Sequence, residues 1–425
     1  MVRKSIASRV SRISAKAFWN QGANVHERGR KLWESRMRGD GGKSRGGGLF
    51  PGGSPAVVSC ESDELRCAGS CHFHRVRFPF MPFSRMNPLL DEPLSDPLSL
   101  YHYRDAISAV DLMAAAIAHL DFFTWLDGHP ATLGMICAHF AIHERPTDVM
   151  MTLFAAQGLC QMNGGVWILT LRGREHLTKK SPWNLSPYYA SMKDRPSTLD
   201  MLHVLKTGKP ANWGSYDPQA WAQAMEREDF AASFTAAMDC RGILLGPALA
   251  KRVDLTKHTA LLDIAGGSGI YACAIKARHP HMKATVFERP PVDRIARECI
   301  AKHGVDVGVV AGDMFKDELP AGYDAHLWSN VLHDWDEATV RSLLAKSAAA
   351  LPEGGLVIIH DAFLNKDKTG PLHVAEYSAL LMNITEGRCY GLAEMAKYLH
   401  DAGFEWVAHH PTAVARGFIV AQKPE

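Results

Sequence analysis

Apolar residues along the 425-residue chain fall into two kinds of spacing. In the first kind they recur at three and four: Ile107, Val110, Leu112, Met113, Ile117 and Leu120, then Leu133–Phe140, then Val149–Leu159 beyond a polar break with Pro146. That period predicts amphipathic helices. The stretch Gln161–Leu171 turns on Asn163-Gly164-Gly165, which predicts a two-stranded hairpin. Helix, helix, helix and a two-stranded wing is the order of a winged helix. Residues 197–255 continue as mixed helices carrying Phe230, Phe234 and Met238, able to wall a pocket or to serve as plain core.

From Thr259 the second kind of spacing takes over. Short apolar runs at Ala260–Ile264, Lys283–Phe287, Val305–Val310, His326–Val331 and Leu356–Ile359 are separated by helical patterns. Strands alternating with helices predict a parallel sheet with helices on both faces. The tail departs from this, because Phe404–His409 and Gly417–Gln422 are joined by a Pro411-containing loop with no helix between them, which predicts an antiparallel hairpin. The expected fold is therefore α/β: a seven-stranded Rossmann-like domain, preceded by a winged-helix domain.

Charge divides the chain unevenly. Residues 1–85 hold 16 Lys and Arg against 6 Asp and Glu, and the remainder holds 31 against 39. A mildly acidic body, and a recognition stretch Pro146–Cys160 nearly without basic residues, argue against a nucleic-acid partner. No apolar run approaches the ~18–20 residues of a membrane span; the stretch near Leu112–Leu120 is interrupted by His119 and bounded by Asp111 and Asp121. The nine cysteines show no paired spacing, as in reduced, cytoplasmic proteins. Cys67, Cys71, His72 and His74 match no common zinc spacing, so no metal is expected. The Arg-, Ser- and Gly-rich leader reads as disorder. Its basic, acid-free start also suits a mitochondrial presequence, but upstream sequence ahead of a start at Met86 is preferred.

Candidate chemistry lies at the carboxyl ends of the strands. The first ends in Asp263-Ile264-Ala265-Gly266-Gly267-Ser268-Gly269, a turn that lets a ligand approach the backbone and a helix N-terminus. Glu288 ends the next strand, 19 residues after Gly269, placed for a ribose hydroxyl pair. Both features suit NAD and S-adenosylmethionine alike. Asp263 ahead of the glycines suits a cationic amino-acid tail better than a pyrophosphate. Gly312-Asp313-Met314-Phe315 offers an acid and apolar bulk to an adenine. The fourth strand runs to Ser329-Asn330-Val331-Leu332-His333-Asp334-Trp335, setting His333 beside the reactive end of the cofactor. A neutral imidazole there can take a proton from a substrate hydroxyl; the plainer alternative is a histidine capping the next helix.

Residues from about 100 to 425 resemble the homodimeric small-molecule O-methyltransferases of the caffeate, flavonoid and hydroxyneurosporene types. The resemblance rests on Asp263–Gly269, Phe287-Glu288-Arg289-Pro290, Gly312–Phe315, Asn330–Trp335 and, upstream, Phe234-Thr235-Ala236-Ala237-Met238, in order and at family spacing. It implies His333 as general base with Asp361 bracing it. S-adenosylmethionine contacts would run through Asp263, Ala265, Gly266, Gly267, Gly269, Glu288, Asp313, Met314, Phe315 and Ser329. The small acceptor would meet Phe234, Met238, Met382 and Asn383.

The resemblance further implies a homodimer through a winged-helix domain at 86–195, a pocket-lining connector at 196–255 and the methyltransferase domain at 256–425. Three departures stand out. Glu288 occupies a place often held by Asp. Ser329 occupies a place often held by Lys. Cys389 stands in the register of a second bracing acid, with Glu386 three residues before it. Methylation at sulfur or nitrogen, a cofactor-sensing regulator and a nicotinamide dehydrogenase are the competing readings.

Overall fold

A computed structural model of the chain describes residues 86–211 and 220–425. The basic leader, with Cys67, Cys71, His72 and His74, lies outside the described residues.

The first half is helical. The helices are α1 (Leu98–Asp105), α2 (Ile107–Ala118), α3 (Phe122–Gly128), α4 (Leu133–Phe140) and α5 (Glu144–Ala156). Strands β1 (Cys160–Asn163) and β2 (Val166–Leu169) pair antiparallel, turning on Gly164 and Gly165, both at positive φ. Then come α6 (Leu171–Leu177), α7 (Ser186–Ala190) and α8 (Pro196–Thr207). The expected helix at Val149–Leu159 starts earlier, at Glu144, because Pro146 fits a first helical turn where no N–H partner is needed. Leu171 opens α6 instead of ending the hairpin, since Thr170 caps that helix by accepting from Gly173 N.

Beyond α9 (Ala220–Met225) and the long α10 (Glu228–Ala250), the chain alternates β3 (Ala260–Ile264), α11 (Ile270–Arg278), β4 (Lys283–Glu288), α12 (Val292–His303) and β5 (Val307–Ala311). It continues through β6 (Ala325–Ser329), α13 (Glu337–Ala350), β7 (Leu356–Asp361), α14 (Leu372–Ile384), α15 (Leu392–Asp401), β8 (Glu405–Pro411) and β9 (Gly417–Gln422). The seven strands lie in the order β5-β4-β3-β6-β7-β9-β8. β3 pairs in parallel with β4 and with β6, and β7 pairs antiparallel with β9. The tail hairpin is thus present, but Pro411 ends β8 and the loop is 412–416. The run expected to continue to Val331 leaves the sheet at Ser329, where Asn330 turns to φ 54°.

Every residue of β3 is buried, as a central parallel strand requires. One face of the sheet is covered by α10 and α11, whose Leu245, Leu249, Ile270 and Ile275 pack on Leu261, Val286 and Leu327. The other is covered by α13 and α15 over Leu262, Trp328 and Ile359. A third core joins Phe122, Phe123, Met150 and Phe154 of the helical half with Ala375, Tyr377 and Met382 of α14. So α14, late in sequence, packs within the helical half.

The α10–α11 contact admits no side chain at Gly242, where a β-carbon would stand 2.2 Å from Ile270 Cγ2. Gly242→Ala should lower stability by about 1–3 kcal/mol, since a β-branched neighbour yields poorly. A denaturant titration measures this, and an unchanged midpoint would mean the helices separate freely.

Candidate functional site

The glycine turn at the end of β3 folds over a carboxylate. Asp263 is fully buried, and a β-carbon on Gly266 would lie 2.7 Å from its carboxyl carbon. Ala265 and Gly269 stand at φ 54° and 80°, and Gly269 N closes the turn on Gly266 O at 2.9 Å. Among the described residues neither carboxyl oxygen of Asp263 has a hydrogen-bond partner. Burial outweighs the nearby Ala272 amide, which favours the charged form, and with the charge of Glu288 behind it pushes Asp263 up to about 7.

Glu288 ends β4 directly beside this turn. Its Oε2 accepts from Gly267 N at 3.0 Å and its Oε1 from Arg289 N at 2.8 Å. Burial outweighs both bonds and raises it to about 7. Two of its acceptor sites thus hold the turn, leaving the remaining lone pairs for a ligand. Asp313 follows β5, accepts from Phe315 N at 3.0 Å and pairs with Lys316 at 3.3 Å. Burial opposes these bonds, yet its pKa is lowered. Met314 is half-buried, and Phe315 meets Trp335 edge-on at 4.7 Å.

Ser329 Oγ lies 3.1 Å from His360 Nδ1 and accepts from Asn330 Nδ2 at 3.2 Å. Asn330 also donates to the Tyr271 hydroxyl at 2.9 Å. Burial drops His360 to about 3, so it joins this chain uncharged.

His333 sits in a single 3₁₀ turn, Leu332–Asp334. Its Nδ1 donates to Asp361 Oδ1 at 2.5 Å, and the same oxygen accepts from Ala362 N at 2.7 Å. Burial would lower the imidazole, but the charge of Asp361, with Tyr377 and Asp334 adding to it, lifts it to about 9. The following helix is capped by Asp336, which accepts from Thr339 N, so His333 does not serve as its cap. Glu386 is exposed. Cys389 is buried, its amide donating to Ser378 Oγ at 3.1 Å, and burial pushes its thiol well above the usual range. The second carboxylate near the imidazole is Asp334, 3.6 Å from Nε2. Phe234 and Met238 lie half-buried on α10, Met382 is fully buried, and among the described residues Asn383 Oδ1 is buried without a partner.

This geometry agrees with three comparisons. Residues 204–405 match the O-methyltransferase domain family. The 3-hydroxy-5-methyl-1-naphthoate 3-O-methyltransferase of Streptomyces sahachiroi is 32% identical over 266 residues, 62% of this chain and 76% of that protein. The tetracenomycin polyketide synthesis 8-O-methyl transferase TcmO of Streptomyces glaucescens is 28% identical, over 77% and 95%. The O-methyltransferase family 2 protein of Planctomyces limnophilus, solved in complex with apigenin, superposes with a TM-score of 0.72 at 34% identity, over 79% of this chain and 98% of that one. The chain belongs to the O-methyltransferase family. It is an S-adenosylmethionine-dependent methyltransferase acting on small-molecule hydroxyls, and the dehydrogenase and regulator readings fall away.

The residues present fit that cofactor. A buried, unpartnered acid under the turn suits a cationic ammonium group, and the space above Gly266 is closed to any side chain. Two residues of the methyltransferase escaped the sequence reading. Arg145 donates to the carbonyls of Met382, Thr385, Gly387 and Gly208 at 3.3, 3.2, 2.8 and 2.9 Å. It thereby fixes the 382–387 turn, whose Gly387 is pressed so close to the His333 carbonyl that a β-carbon would lie 2.0 Å away. Arg241 is the other, donating to the Tyr377 hydroxyl. Nothing in spacing marks Arg145, since an arginine on a helix usually faces water, whereas Arg241 stands at helical spacing from Phe234 and Met238, which was a usable signal.

Three of the raised groups set the pH dependence around neutrality. Asp263 and Glu288, neutral more readily in the fold, cost stability as pH climbs to about 7. His333 contributes stability fully below its unfolded value, ~6.5, and that contribution is lost as pH rises through about 9. His326 and His360, lowered by burial to about 4 and 3, act oppositely and only below ~6.5. The melting temperature of the ligand-free enzyme should therefore fall between pH 6.5 and 9, and His333→Gln should flatten most of the slope. A flat wild-type profile would mean that the imidazole is not held as a cation.

Proposed function

We propose that His333 is the general base of this methyltransferase and Asp361 its brace, with an aromatic hydroxyl compound as acceptor. The observation that carries the reading is the buried His333–Asp361 pair, 2.5 Å apart, at the carboxyl edge of the sheet that also bears the glycine turn. With Nδ1–H given to Asp361, Nε2 is the atom left to receive the acceptor's proton. A cation bound close by favours the neutral imidazole, bringing it down from its raised value toward the working range. When bound, S-adenosylmethionine supplies a methyl group already activated on a sulfonium. The chain's own task is to align the acceptor in a dry site, where orientation is worth up to ~7–11 kcal/mol. Asp263 would take the donor's ammonium group, Glu288 its ribose, and Asp313, Met314 and Phe315 its adenine. Ala265, Gly266, Gly267, Gly269 and Ser329 would border it. The relatives named for naphthoate and polyketide substrates, and the neighbour holding apigenin, support an aromatic acceptor met by Phe234, Met238, Met382 and Asn383.

The division at 86–195, 196–255 and 256–425 is part of the same reading, with the helical half as a winged-helix dimerisation domain. Leu100, Tyr103, Ile107 and Val110 support this: they follow one another along α1 and α2 and are all exposed, Tyr103 at 87%. Contiguous exposed apolar side chains mark an association surface. The six cysteines among the described residues are unpaired, and among those residues no single helix is long and apolar enough to cross a membrane. Both support a cytoplasmic location.

His333→Ala should cut turnover by ~10²–10⁴-fold while S-adenosylhomocysteine binds with unchanged affinity by calorimetry. Parallel loss of both would make the histidine structural. Paired Tyr103→Glu and Ile107→Glu should convert dimers to monomers in sedimentation velocity; a wild-type chain that sediments as a monomer would refute the dimer.

A further inference from the structure

Phe234, Met238 and Arg241 stand at i, i+4 and i+7 on α10, and therefore share one helix face. Arg241 Nη1 crosses to α14 and donates to the Tyr377 hydroxyl at 3.1 Å. Tyr377 is buried, and its ring meets the His333 ring edge-on with centroids 5.7 Å apart. Arg416 lies over the same tyrosine ring at 4.3 Å, but it is committed to Asp105 at 3.4 Å and to the Val414 carbonyl at 3.3 Å. Asp105 is shared between Arg416 and Arg104, so no carboxylate is bonded to Arg241 among the described residues.

The donor count is uneven. A guanidinium has five N–H groups, and among the described residues Arg241 spends one, on Tyr377. The Tyr377 hydroxyl accepts that bond, so its own proton is left to donate elsewhere. Two donors, one of them charged, thus stand together beside the imidazole. Charge-assisted bonds to a guanidinium are the strong ones, and a carboxylate matches its fork.

We propose that Arg241 and Tyr377 form an anion subsite that selects acceptors bearing a carboxylate next to the hydroxyl offered to His333. This rests on the reading of His333 as the base. The Tyr377 ring lies edge-on to the His333 ring with centroids 5.7 Å apart, so the carboxylate and the hydroxyl are read as neighbours on one aromatic acceptor. A neutral ester in the same place can accept from these donors through its carbonyl, but it lacks the charge and the paired oxygens that match a guanidinium fork, so it binds more weakly.

The test compares 1-hydroxy-2-naphthoate with its methyl ester on the full-length enzyme, by calorimetry with S-adenosylhomocysteine bound and by turnover with S-adenosylmethionine supplied. The wild type should prefer the acid. Arg241→Gln should collapse that preference by ~10- to 100-fold, the range of a hydrogen bond to a charged group. Arg241→Lys should restore part of it, and Tyr377→Phe should weaken it less. Equal losses for acid and ester would overturn the proposal, reducing Arg241 to packing. A fall in S-adenosylhomocysteine affinity in Arg241→Gln would overturn it too, by placing the guanidinium on the donor's carboxylate. If the wild type binds the acid through Arg241 yet methylates neither compound, the subsite stands and the His333 reading fails. If it methylates the ester and shows no preference for the acid, the His333 reading stands and the subsite fails.

Discussion

Placing an imidazole and a carboxylate together out of water is the constraint around which the rest of this enzyme is arranged. Neither His333 nor Asp361 is tolerable alone in that environment, because an unpaired buried charge costs several kcal/mol. Together, 2.5 Å apart, each holds the other ionised in the free enzyme. The pair comes from two neighbouring strands, β6 and β7, whose parallel register sets Ser329 opposite His360. Sheet geometry therefore brings the two segments together, and the 3₁₀ turn after Ser329 swings His333 back over Asp361.

The glycine turn carries the opposite kind of expense. Asp263 and Glu288 are both buried, and both are raised to about 7. Glu288 is eased by two backbone amides, whereas Asp263 has no partner among the described residues. An acid buried in this condition costs the fold stability when ionised, and any cation binding beside it would offset that cost.

Helix α14 joins these two requirements to the helical half. It contributes Tyr377 against the imidazole and Met382 to the helical core, and its last carbonyls end on Arg145. Where the family has a second acid, Cys389 is a neutral buried thiol, and Asp334 stands near the imidazole as the other carboxylate. The imidazole is hydrogen-bonded to Asp361 alone of these carboxylates, through Nδ1, and Asp334 adds only its nearby charge.

Resemblance to the family pointed to Asp361 as the brace, while the sequence by itself determined the alternation of strands and helices, the antiparallel tail, the glycine turn and the place of His333 at a strand end. Each is written in local spacing: strand burial, glycine clusters and short motifs report backbone geometry within a few residues. Tertiary structure alone decided that Glu288 supports the turn through Gly267, that Arg145 pins the 382–387 segment behind His333, and that Arg241 meets Tyr377. Those contacts join residues more than 20, 230 and 130 positions apart. Side chains so distant meet only because the packing of α10 and α14, and the pairing of the strands, bring them to one place, and no periodicity along the chain encodes such a meeting.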